Sequence, residues 1–91
     1  MMQVSAAIQQ YVESHGLSVV REYTGHGIGQ EMHEPPEILH YVNMAHADSY
    51  VILQPGMTFA IEPMVNMGTW RTRVLADGWT VVTADGALSA H

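Results

Sequence analysis

Met57-Thr58-Phe59-Ala60-Ile61-Glu62-Pro63-Met64 alternates with the period of a strand. Met57, Phe59 and Ile61 point one way, and Thr58, Ala60 and Glu62 the other. Pro63 ends ladder pairing or marks an edge. Downstream, 70–75 and 79–83 flank Asp77-Gly78, the dipeptide of a tight hairpin. Asp85-Gly86 marks a further turn, and the short apolar tail Ala87-Leu88-Ser89-Ala90 asks for a following strand. Upstream, Pro55-Gly56 closes a brief strand at 51–53, and 42–50 reads as a loop. A short extended segment at 38–41 follows Pro35-Pro36, which the same reading places outside regular structure. Residues 19–23 read as a strand. Residues 2–15 read as an amphipathic helix, with Val4, Ala7, Ile8, Tyr11 and Val12 on one face and Gly16 as its stop. The order is α+β: one N-terminal helix followed by a mostly antiparallel sheet, in a single domain spanning 1–91.

Composition sets the limits. An apolar share of 47 % with 13 % charged residues is that of a folded chain. A domain of this size buries only roughly 60–65 % of its unfolded surface, so its stability margin is thin. No cysteine is present to add a disulfide or a thiolate ligand. Nine acidic residues face three arginines, a net charge of −6, and only Arg71 and Arg73 lie close in sequence. Nucleic acid and anionic membrane surfaces need clustered cations, so neither is an expected partner. No apolar run reaches the roughly 18–20 residues needed to cross a bilayer, which leaves the cytoplasm as the expected location.

Two stretches could carry chemistry. Gly25-His26-Gly27-Ile28-Gly29 surrounds an imidazole with glycines, so backbone and ring can approach a ligand closely, and His33 follows seven residues later. A loop of this composition can equally have no task. Glu62 stands in an otherwise uncharged stretch and either meets water, pairs with Arg71 or Arg73, or binds a cation. Core packing is the plain reading of Trp79, and gap filling that of Met32. His15, His40, His46 and His91 are assigned no role beyond their local positions.

In these residues the chain resembles the type I methionine aminopeptidases, metallopeptidases of the pita-bread fold. The resemblance rests on 25–29 with His33-Glu34, Leu39-His40-Tyr41, 55–59 with Ile61-Glu62-Pro63-Met64, and Asp77-Gly78-Trp79-Thr80, in the family's order. Pita-bread peptidases that cut beside proline share the His and Glu positions, whereas the Glu62-Pro63-Met64 block and Trp79 favour the methionine-specific branch. The resemblance implies hydrolysis of the bond after an N-terminal methionine, with two divalent metals held by two Asp, one His and two Glu. It implies His26 and Glu62 as metal ligands, and Glu62 also as a proton carrier. It makes His33 a catalytic contact to the substrate carbonyl, and Met32, His33 and Trp79 substrate-binding residues. Oxygen-rich ligation with one imidazole suits Mn, Fe(II), Co or Zn.

The same resemblance sets an expectation of incompleteness. Asp48, Asp77 and Asp85 match neither metal-binding Asp, and the last Glu belongs beyond His91. The chain then reads as a truncated C-terminal half, holding at most one ion weakly and hydrolysing little or nothing by itself. A sheet deprived of its other half exposes apolar surface and strand edges, so a homo-oligomer is expected. The alternative is a metal-binding or assembly module without catalysis.

Overall fold

The computed structural model describes residues 1–91. Helix α1 spans Met2–Ser14, and Gly16 follows at φ +71°, the left-handed turn that stops it. His15 caps the end, its Nδ1 2.8 Å from the Tyr11 carbonyl. The docked face is not the expected one. Met1 and Ser5 are buried, while Tyr11 is 70 % exposed and carries its ring against His15. The helix packs against β1 (Ser18–Val19) with Ser5 buried and Ala7 and Tyr11 turned to solvent.

Three small antiparallel sheets follow. In the first, β5 (Val65–Asn66) lies between β1 and β8 (Ser89–Ala90), with Ser18 opposite Asn66 and Val65 opposite Ala90. The apolar tail thus pairs inward with β5 and forms a sheet edge. In the second, β2 (Gly25–Gly27) lies between β3 (Glu34–Ile38) and β4 (Phe59–Ala60). The third is the hairpin β6 (Thr72–Val74) and β7 (Val81–Thr83), in register from Thr72–Thr83 to Val74–Val81. Its turn holds Gly78 at φ +68°. There the Thr80 hydroxyl and the Trp79 and Thr80 amides keep the Asp77 carboxyl below its ordinary value of 3.8.

Several expected bounds change. Pro35 and Pro36 lie inside β3, not outside regular structure. The register shifts between His26 and Gly27, and this irregular step spares the ladder the two N–H groups the prolines lack. The strand expected at 19–23 ends at Val19, although the Val20 amide still reaches the Met64 carbonyl at 3.0 Å. Residues 51–53 form no strand; the Val51 carbonyl accepts the Met1 ammonium at 2.8 Å. The loop at 42–50 ends in a 3-10 turn, Ala47–Tyr50. Only Phe59 and Ala60 of the alternating stretch are paired, and Ile61 is 51 % exposed. Val19, Val20, Ile38 and Leu39, with Met1, make the small apolar core.

Candidate metal centre

The register of the central sheet builds the site. His26 on β2 stands opposite Ala60 on β4, two residues before Glu62. Its Nε2 comes 3.0 Å from Glu62 Oε1. The ring is largely buried, and its Nδ1 lies 2.9 Å from the Gly27 carbonyl, a group that only accepts. Nδ1 therefore carries the proton, and in the neutral ring Nε2 presents a lone pair to the carboxylate. Two acceptors facing each other at 3.0 Å call for a positive charge between them, either a second ring proton or a cation.

These residues fit a divalent ion. Two ligand atoms each about 2.1 Å from one ion, at right angles to each other, stand about 3.0 Å apart. An imidazole whose other nitrogen is anchored on a backbone carbonyl is the usual form of a metal-binding histidine. The His33 ring lies beside His26, centroid to centroid 4.2 Å, which puts a second imidazole at the same place. All three line a polar basin of about 750 Å³.

A second trio is different. Glu37, His46 and Asp48 bring one ligand atom each within 4.8 Å of one another. Every one of those atoms already has a use. The Asp48 amide donates to His46 Nδ1 at 3.2 Å, so the ring proton sits on Nε2 and points to Glu37 Oε2 at 2.9 Å. Asp48 Oδ2 accepts the Glu37 amide at 2.8 Å. The trio is a clasp between β3 and the 3-10 turn, whereas His26 and Glu62 leave a lone pair and a charge unspent.

Of the other expected site residues, Trp79 is 86 % exposed and lines an apolar hollow of about 720 Å³ with Val74, Val81 and Leu88. It is not a core residue. Tyr23 and Met64 wall both this hollow and the polar basin. Met32 stands 71 % exposed on the loop between β2 and β3 and lines neither. Glu62 pairs with His26 and with no arginine; Arg21 and Arg71 stack on Trp70 instead.

Sequence reasoning passed over His40. It is 1 % exposed, and its Nε2 accepts the Glu62 amide at 3.2 Å. Burial holds its pKa below the ordinary 6.5, against the opposing charge of Glu62 and with a smaller lowering from His91. A histidine directly after the buried Ile38-Leu39 pair is the signal that could have marked it.

Comparison with known proteins shows the family. The model of metallopeptidase family M24 matches residues 1–86. The chain is 59 % identical over 88 residues to the methionine aminopeptidase of Salmonella typhimurium, covering 97 % of this chain and 32 % of that protein. With the enzyme of Clostridium perfringens it shares 56 % over 88 residues, 97 % of this chain and 34 % of the relative. The crystal structure of methionine aminopeptidase from Thermotoga maritima superposes with a TM-score of 0.86 at 50 % identity, over 97 % of this chain and 34 % of that one. The chain thus spans about a third of the length of these relatives. A family model matching nearly the whole chain, joined to an imidazole and a carboxylate aimed at one point, places the chain in metallopeptidase family M24.

Proposed function

We propose that this chain carries one part of the centre of a methionine aminopeptidase, the name its relatives bear, an enzyme that as the resemblance implies removes methionine from peptide N-termini. The observation that carries the reading is the 3.0 Å approach of His26 Nε2 to Glu62 Oε1 with Nδ1 anchored behind it. His26 and Glu62 hold a divalent ion, Mn, Fe(II), Co or Zn by donor type. Such an ion would supply Lewis acidity toward a water and a carbonyl. The Glu62 carboxylate, partly exposed at the basin, is the group placed to carry a proton there. His33, beside the ligand ring, donates to the oxygen on which charge develops, a contact of a kind worth about 2.7–4 kcal/mol when lost. Trp79, in the apolar hollow next to the basin, receives the methionine side chain, whereas Met32 lies outside both and takes no part in this reading.

Two protein ligands leave most of an ion's coordination to water, so the 91-residue chain by itself holds at most one ion, weakly, and turns over little. Titration with Mn(II) is expected to show one saturable site that dialysis empties, and a Met-Ala peptide is expected to survive incubation. Absence of any saturable uptake would refute the reading. Turnover that His26→Ala abolishes would refute the weak-activity part alone. The cytoplasm is the proposed location.

A second reading rests on exposed apolar surface. Trp79, Leu88 and Val74, at 86, 74 and 55 % exposure, surround one hollow next to the unpaired edge of β8. Self-association through this face gives an assembly module. Light scattering is expected to show a mass above one chain that Trp79→Ser lowers; a strictly monomeric chain at high concentration excludes it.

A further inference from the structure

We infer that His40 is the positioning residue that aims Glu62 at the metal, an inference that rests on the proposed metal role of His26 and Glu62. Glu62 lies beyond the ladder, which ends at Ala60, and the next residue, Pro63, has no N–H to anchor the peptide. The Glu62 amide instead donates to His40 Nε2 at 3.2 Å. His40 follows the last residue of β3 by two positions and is 1 % exposed, so its ring is fixed by packing.

To reach Glu62 the ring passes close to β2 at Gly25. A Cβ built on Gly25 would collide with the Ala60 carbonyl and stand 3.2 Å from His40 Nε2. The missing side chain lets the Ala60 carbonyl of β4 come close to β2 and leaves the imidazole room beside it. The outcome is a closed circuit: β3 holds His40, His40 holds the Glu62 backbone, and the Glu62 carboxylate meets His26 on β2. A residue behind a ligand that fixes its direction typically changes metal affinity by roughly 10–100-fold when lost. Accepting at Nε2 requires the proton on Nδ1, which assigns the tautomer.

The test uses ¹⁵N-labelled chain and Mn(II) alone. In the wild type, ring nitrogen shifts are expected to show His40 protonated at Nδ1; protonation at Nε2 overturns the inference without any variant. His40→Phe keeps a ring and removes the acceptor. It is expected to speed exchange of the Glu62 amide and to raise the Mn(II) concentration that broadens His26 and Glu62 signals by roughly 10–100-fold. His40→Gln, which restores an acceptor, is expected to recover most of both. Should His40→Phe fail to fold, His40→Leu, which likewise offers no acceptor, replaces it. Slow Glu62 exchange and unchanged Mn(II) response in the acceptor-less variant overturn the inference. A wild type that takes up no Mn(II) overturns the metal reading and this role with it, whereas uptake indifferent to His40 overturns the role alone.

Discussion

Glu62→Gln is expected to abolish saturable Mn(II) uptake, and His26→Ala to do the same. Losing a residue that merely supports a ligand costs roughly 10–100-fold in affinity, so losing one of two ligands must cost more. Gln keeps the size of Glu62 and its contact with water but removes the charge that balances a divalent ion. His26 is then left as a single neutral donor. In the same variant the fold is expected to persist, because Glu62 is neither in a strand nor in the core and its backbone bond to His40 survives the change. Calorimetric titration beside a far-UV spectrum measures both quantities. Undiminished uptake by a folded Glu62→Gln chain would place the ion elsewhere, with the clasp of Glu37, His46 and Asp48 the first place to look.

Ile38→Ala is expected to remove a large share of the chain's stability. Ile38 is fully buried at the end of β3, paired with Gly25, where a built Cβ would come 3.1 Å from its own. Truncating a buried isoleucine to alanine costs about 2–5 kcal/mol, the spread reflecting how far the site collapses. A chain of this length has about 5–14 kcal/mol to lose, and its apolar core has few members, so the upper part of the range applies. Ile38→Val, at about 0.5–1.5 kcal/mol, gives the graded comparison. Urea midpoints for the three chains check the order. An alanine variant no weaker than the valine one would show that the core lies elsewhere. The effect also reaches the metal centre, since the residue two positions on is the one that holds Glu62.

The hairpin was readable because Asp77-Gly78 carries its own turn chemistry, and Gly78 takes the positive φ that the reading requires. The helix was readable for the same local reason, from periodicity and Gly16. Its buried face was not. Five apolar positions defined a stripe, but what a helix buries depends on what lies under it, and the one fully buried helix residue is a serine. Pro35-Pro36 misled because the rule against proline in ladders holds for regular register, and β3 is irregular at that point. His26 and Glu62 meet at 3.0 Å because β2 and β4 pair, a contact that no spacing rule reveals for residues so far apart in sequence. His40 was missed because a histidine in a buried stretch says nothing about which amide it will accept.

Tyr23 and Met64 form a party wall between a polar chamber and a greasy one. A bulkier residue at 64 narrows both at once. Changes at Trp79, Leu88 and the hairpin, on the far side of the wall, reshape the greasy chamber and leave the lining of the polar one untouched.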